Sequence, residues 1–227
     1  PMDDPATDVT SIIRAYGIEQ EFPKSVMKEA QSVLQEISEQ PGGKRVDFRN
    51  LLTVTIDGED ARDLDDAITL SKKDEKYYLG VHIADVAHYV KEDSPLDKEA
   101  LERATSVYLA DRVIPMLPRE LSNGICSLNA GTDRLAMSCM MTFDVNGNVL
   151  DHTITESVIC VDERMSYTGV KAILEGQEHP EGEREDIRAL CFLMKEAAAI
   201  LKEKRRKRGA IDFDFPESKI IVDDKGY

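Results

Sequence analysis

Tryptophan is absent from this 227-residue chain, aromatic residues make up only 6%, and cysteine occurs four times. Cys126, Cys139, Cys160 and Cys191 stand far apart with no C-x-x-C among them. That spacing argues against a disulfide scaffold or a zinc ribbon and fits buried cytosolic thiols, with no disulfide partner expected. No apolar run approaches the ~18 residues of a membrane span, so no membrane association is expected. The opening Pro1-Met2-Asp3-Asp4 is acidic, lacks an apolar stretch and does not read as a secretory signal. Internal repeats and low-complexity tracts are missing as well. Positive charge is scarce: 29 Lys and Arg face 44 Asp and Glu, a formal net of −15. Taken alone, this argues against nucleic-acid binding through bulk positive potential. A binder that uses an acidic metal site, or a piece of a larger protein with its basic parts elsewhere, would still have this balance.

What is present is ordinary for a folded protein, with 41% hydrophobic and 32% charged residues in a length that suits one large domain or two small ones. Residues 1–44 read as two short helices. The first spans about Asp8 to Tyr16, capped by Thr7 or Asp8 and stopped by Gly17. The second opens at Pro23 and runs to about Ser38, with Val26, Ala30, Val33 and Leu34 on one face, until Gln40-Pro41-Gly42-Gly43 breaks it. From Leu51 the texture changes. Leu52, Val54 and Ile56 alternate with polar residues, the pattern of a half-buried strand. Ala67–Ser71 and Tyr77–Ala84 read as a hairpin. Ser94 and Pro95 open a helix that reaches about Ala104. Leu135, Met137, Cys139, Met141 and Phe143 recur at period two. Asn146-Gly147 then turns the chain into a return strand, Val149–Val161. Ser166 starts a short helix. A long one follows from about Glu183 to Arg208, with Ile187, Leu190, Cys191, Met194, Ala198 and Leu201 as its apolar face. Ile220-Ile221-Val222 reads as a strand entering a turn whose return strand is missing, as expected of a truncated domain.

The informative segment is Asp57-Gly58-Glu59-Asp60-Ala61-Arg62-Asp63-Leu64-Asp65-Asp66, with five aspartates and a glutamate in ten residues. Many acidic runs are solvated surface. Here the acids are mostly Asp, and the loop lies between two apolar strands. Crowded carboxylates repel and resist ionisation unless a cation neutralises them. A hard divalent cation such as Mg²⁺ takes oxygen ligands. A pair of such ions ~3.5–4 Å apart clamps an in-line phosphoryl displacement. The rival Ca²⁺ loop needs D-x-[DN]-x-[DN]-G, which Asp57, Glu59 and Ala61 do not supply.

Read with its neighbours, Thr55-Ile56-Asp57 followed by Asp63-Leu64-Asp65-Asp66-Ala67 resembles the signature of the ribonuclease II / ribonuclease R family, in its RNB catalytic domain. Gly80-Val81-His82-Ile83-Ala84-Asp85-Val86-Ala87-His88-Tyr89-Val90 resembles the family's second block. Ser94-Pro95-Leu96-Asp97 with Tyr108-Leu109-Ala110-Asp111-Arg112-Val113-Ile114-Pro115-Met116-Leu117-Pro118 resembles the third. Leu121-Ser122-Asn123-Gly124-Ile125-Cys126-Ser127-Leu128 resembles the fourth, and Arg208-Gly209-Ala210-Ile211-Asp212-Phe213 a later one. Ala110 stands where many members have proline. The resemblance covers roughly residues 45–227, and residues 1–44 look like the connector preceding the domain in ribonuclease R-type members. It implies an α/β fold with a curved mixed sheet and surrounding helices, truncated, behind a short helical segment. It also implies hydrolytic 3′→5′ degradation of single-stranded RNA to nucleoside 5′-monophosphates with Mg²⁺, which Mn²⁺ can replace, in a cytoplasmic monomer.

Position by position, the resemblance makes Asp57, Asp63, Asp65 and Asp66 the catalytic and metal-binding aspartates. Asp57 and Asp66 would hold the metal at the scissile phosphate. Asp65 would matter most for turnover, and Asp63 would complete the cluster or orient a water. Tyr108 matches an aromatic that stacks on a base near the RNA 3′ end, and Tyr167 a second tyrosine at the terminal nucleotides. Glu59 and Asp60 match no catalytic position and are expected to face solvent. The family's domain continues past the end of this chain, where further site residues and OB-fold RNA-binding domains lie. The chain alone is therefore expected to show weak or no exonuclease activity.

Two features stand outside that reading. His82, Asp85 and His88 form H-x-x-D-x-x-H, whose spacing suits core buttressing better than a ligand set. Residues 202–208 hold six basic side chains in seven, which suits both a helix C-terminus and a phosphate-contacting patch. Two other functions remain: a catalytically silent RNA-binding or scaffold module of the same fold, and a Ca²⁺-binding or acidic interaction domain. Intact aspartates at all four positions weigh against the silent module.

Overall fold

The computed structural model describes residues 5–36, 45–178, 181, 184–211 and 213. The first helix, α1 (Pro5–Ala15), starts three residues before the expected Asp8. The second, α2 (Lys24–Glu36), buries Val26 and Ala30 against Tyr89, Leu96, Leu121 and Cys126. The helical segment is thus docked on the rest of the chain. The Pro41-Gly42-Gly43 break and the Ile220–Val222 strand lie outside the described residues.

Seven strands form a mixed sheet among the described residues. They are β1 (Val46–Asp47), β2 (Thr53–Asp57), β3 (Asp66–Lys73), β4 (Lys76–Ala84), β7 (Asp133–Asp144), β8 (Val149–Cys160) and β9 (Glu163–Ser166). The spatial order is β1-β8-β7-β4-β3-β2-β9. Strand β1 runs parallel to β8 and β9 parallel to β2, and the other pairs are antiparallel. The two-residue turn between β3 and β4 places Asp74 and Glu75 at φ 49° and 61°, the left-handed region that tight hairpin turns demand. At the next hairpin Gly147 adopts φ 75°. There the Asp144 carboxylate accepts from the backbone of Asn146 and Asn148, at 2.9 and 2.8 Å.

Helix α4 (Pro95–Arg103) starts as expected, with the Ser94 hydroxyl accepting from the Asp97 amide. A short ribbon, β5 (Val107–Tyr108) with β6 (Val113–Ile114), and a π-helix, Glu120–Ile125, come next. They have no periodic signature in the sequence. Helix α5 (Tyr167–Leu174) is capped by Ser166, and α6 (Glu185–Lys207) crosses one face of the sheet. Ile173, Ile187, Leu190 and Cys191 pack there on Val54, Leu70, Tyr77 and Phe143.

Two sequence expectations need correction. In β2, Thr53 and Thr55 are as buried as Val54, so this strand is covered on both faces and not half-buried. In α6, Ala197 is buried and Ala198 exposed, because the helix drifts around its axis relative to the expected stripe. Among the described residues no helix is long and apolar enough to cross a membrane, and all four cysteines are unpaired; Cys126 and Cys191 are buried as expected, whereas Cys139 and Cys160, on β7 and β8, are half-buried.

Candidate active site

The acidic loop joins two sheet strands. Asp57 is the last residue of β2 and Asp66 the first of β3. Between them the backbone is pinned at several points. Leu64 is fully buried with Ala67, Ala84, Leu128, Ala136, Ile159 and Val161. The Leu64 amide donates to Ser127 Oγ at 3.1 Å, and that hydroxyl donates to the Arg62 carbonyl at 2.9 Å. The Leu128 amide donates to the Leu64 carbonyl, and the Ala84 amide to the Asp65 carbonyl, both at 2.9 Å. From β9, Arg164 Nη2 donates to the carbonyls of Glu59 and Ala61 at 2.9 and 2.7 Å. One buried leucine, one serine and one arginine therefore hold the loop that carries the acids.

Electrostatics tie the four aspartates together. Burial pushes the Asp57 carboxyl above the usual range, and the charges of Asp66 and Asp63 add to the shift while Arg164 opposes it. Asp65 is raised by lost hydration first, then by Asp63, Asp66 and Asp57. One Asp57 oxygen, Oδ2, is buried with no hydrogen-bond partner. A buried carboxylate oxygen without a donor is costly and is the natural seat of a cation. Among the described residues no three His, Cys, Asp or Glu side chains are placed to share one ion. Magnesium usually needs one or two carboxylates, keeping waters and a substrate phosphate for the rest. The hard oxygen donors and the unpartnered Asp57 atom fit that mode of binding. Glu59 and Asp60 are exposed.

Tyr108, on β5, lies 67% exposed, and its hydroxyl donates to Asp63 Oδ2 at 3.3 Å. Tyr167, 65% exposed, follows Ser166, which is the register partner of Asp57 across β9 and β2. The Ser166 amide and hydroxyl both donate to Glu181, at 2.8 Å each. This places Tyr167 beside the strand end that carries Asp57.

The H-x-x-D-x-x-H residues do not converge on a metal. His82 is buried within the sheet. Asp85 caps the short helix α3 (Val86–Tyr89) and meets Arg45 Nη2 at 2.6 Å, and the same nitrogen lies 3.2 Å from His88 Nδ1. In the basic run, Lys204 Nζ donates to the Gly147 carbonyl at 2.7 Å, and Arg206 and Lys207 pair with Glu203. At least three of its six cations thus serve local structure.

Arg164, Leu64 and Ser127 carry no signal of their loop-holding role along the sequence. Arg164 stands three residues before Tyr167, but nothing in that stretch shows that its side chain reaches back about a hundred residues to the loop.

A model of the RNB domain family matches residues 45–227. The chain belongs to the RNB domain family. This RNB chain is similar to ribonuclease R 1 of Lactococcus lactis subsp. lactis (strain IL1403), with 49% identity over 99% of the chain and 28% of that protein. The apo form of Mycoplasma genitalium RNase R superposes with a TM-score of 0.91 at 32% identity, covering 99% of this chain and 35% of that one. The same enzyme in complex with ribose methylated single-stranded RNA gives a TM-score of 0.91 at 31% identity, over 99% of this chain and 35% of that one. The RNB chain therefore spans about a third of the length of these relatives.

Proposed function

We propose that this RNB chain is the metal-binding portion of a 3′→5′ hydrolytic exoribonuclease that degrades single-stranded RNA to nucleoside 5′-monophosphates, as a cytoplasmic monomer. Residues 1–44 act as a helical connector and residues 45–227 as the first part of the catalytic domain. The observation that carries the proposal is the aspartate cluster on a pinned loop, with Asp57 Oδ2 buried and unpartnered. Support comes from family membership and from the similar ribonuclease R held with single-stranded RNA.

In this reading Asp57 and Asp66 hold Mg²⁺, which Mn²⁺ can replace, at the scissile phosphate, with Asp65 and Asp63 completing the negative cluster. When bound, the metal supplies Lewis-acid stabilisation of phosphoryl charge and a lowered water pKa. The chain's own residues do the rest. Leu64, Ser127 and Arg164 keep the carboxylates at fixed positions, so little reorganisation is needed on binding. Tyr108 and Tyr167 present exposed rings on which bases stack without sequence readout.

The test is Mg²⁺- or Mn²⁺-dependent release of nucleoside monophosphates from a 3′-labelled single-stranded RNA. This chain is run beside a version of its relatives' full length, each with and without Asp65→Asn. Release by the longer version, abolished by the substitution while RNA stays bound, is the expected result, with weak or no release by the shorter chain. No metal-dependent release from either version, with RNA still bound, would replace the proposal by a silent binding module.

A further inference from the structure

The aspartates sit where β2 and β3 part. These strands are matched at only two positions, Thr53 with Thr69 and Val54 with Ile68. Beyond them β2 follows β9, as far as Asp57 opposite Ser166. The result is a fork, with Asp57 on one prong and Asp66 on the other.

At the base of the fork the Thr53 and Thr69 hydroxyls bond at 2.8 Å. The contact continues sideways through the sheet. Thr69 Oγ1 meets His82 Nε2 at 3.0 Å, His82 Nδ1 meets Ser138 Oγ at 2.6 Å, and Ser138 Oγ meets Ser157 Oγ at 2.6 Å. At its ends Thr53 Oγ1 lies 3.0 Å from the Leu51 carbonyl and Ser157 Oγ 3.1 Å from the Ala136 carbonyl; with a neutral imidazole five protons serve the six contacts, so one end donates to its carbonyl at a time. The chain of contacts crosses β2, β3, β4, β7 and β8, and each of its five side chains is buried. Burial pushes the imidazole down to about 4, so His82 is neutral at physiological pH and offers one donor and one acceptor.

The ring has room because residue 80 is glycine. A Cβ there would meet His82 Nε2 at 2.8 Å and Met140 Sδ at 3.0 Å. Phe48 covers the ring, with centroids 6.1 Å apart. Apolar side chains would fill this space at lower desolvation cost. A connected polar network in a core instead fixes one arrangement of the groups it joins.

We propose that His82 is a positioning residue which, through Thr69 and Thr53, fixes the fork of β2 and β3 and hence the placement of Asp57 relative to Asp66. The inference rests on the metal-binding reading of those two aspartates and adds a determinant outside the cluster. It is tested on this chain by Mn²⁺ titration followed by electron paramagnetic resonance, with native folding checked by circular dichroism. Thr69→Val removes the hydroxyl and keeps the branched shape, and its Mn²⁺ dissociation constant is expected to rise about tenfold, the low end of what outer-shell changes produce. Gly80→Ala displaces the ring without removing any hydrogen-bonding group and is expected to act in the same direction. It also decides the matter if Thr69→Val does not fold. His82→Gln, which keeps a donor and an acceptor, should recover more affinity than His82→Ala. Thr153→Val, on the exposed part of β8, should change nothing. Wild-type affinity in folded Thr69→Val or Gly80→Ala overturns the positioning role alone. No Mn²⁺ binding by the unmodified chain overturns the metal reading and this inference together.

Discussion

At position 57 the chain places a carboxylate where water cannot reach one of its oxygens and where no donor replaces the water. Asp57 and Asp65 both have carboxyl pKa values above the ordinary range. A carboxyl raised in the folded state stabilises the fold fully at pH values below its unfolded pKa. That stability is lost as pH rises through the folded value. Once ionised, the two groups repel each other and their acidic neighbours, and Arg164 opposes this only at Asp57. Mg²⁺ or Mn²⁺ is therefore expected to raise the melting temperature at neutral pH, and to lose that effect as pH falls into the carboxylate range, where protons take the cation's place. Thermal melts across pH, with and without metal, check this against an Asp57→Asn, Asp65→Asn double variant, whose metal response should be flat. Equal metal responses in both proteins would show that these two residues do not bind the ion. At this scale the sequence was readable: Asp57, Asp63, Asp65 and Asp66 could be singled out because carboxylates at such density need a reason. Arg164 could not, because its guanidinium acts on carbonyls, and carbonyls carry no sequence.

The next scale is that of the loop and the strands that end in it. Leu64 is the one large apolar residue among the acids and has no periodic partner nearby, so a linear reading passes over it. In the fold it is fully buried and anchors the loop to the sheet. Leu64→Ala is expected to cost about 2–5 kcal/mol of stability, by lost burial and a residual cavity, and to weaken Mn²⁺ binding because the acids lose their fixed backbone. Denaturant unfolding and metal titration of the same variant check both effects. A stability loss with unchanged metal affinity would confine Leu64 to packing. The long elements were legible, since β7, β8, α4, α5 and α6 carry period, cap or turn signals that survive into the structure. The short β5–β6 ribbon and the π-helix were not, because tertiary contacts and not periodicity set their conformations. The half-buried expectation for β2 failed for a related reason. Threonine reads as polar, yet Thr53 and Thr69 satisfy each other inside the sheet.

For the whole molecule, the net charge of −15 sets the terms of any RNA contact. Bulk attraction to phosphate is absent, and part of the basic end of α6 is spent on the Asn146-Gly147 turn and on Glu203. In the proposed function, single-strand binding then leans on stacking and on cation-bridged phosphate more than on bulk charge. Tyr108→Ala is expected to weaken binding of a short single-stranded RNA, measured in the presence of Mn²⁺, by about 1–3 kcal/mol, the usual worth of one base–aromatic stack. Fluorescence anisotropy with purine and pyrimidine oligomers checks it, and a similar loss for both is expected. An unchanged affinity would leave Tyr108 as a surface residue that bonds Asp63.

The sequence by itself determined the long elements, the acids and the family resemblance, because periodicity, capping residues and ordered motifs are written along the chain. Only the tertiary structure decided which groups share a space. It brought Arg164 and Ser127 to the loop and separated His82 from Asp85 and His88. It also joined five strands through one buried line of hydroxyls and an imidazole. The physical reason is that hydrogen bonds and charge repulsion depend on distances between residues far apart in sequence, and those distances exist only after the sheet has closed.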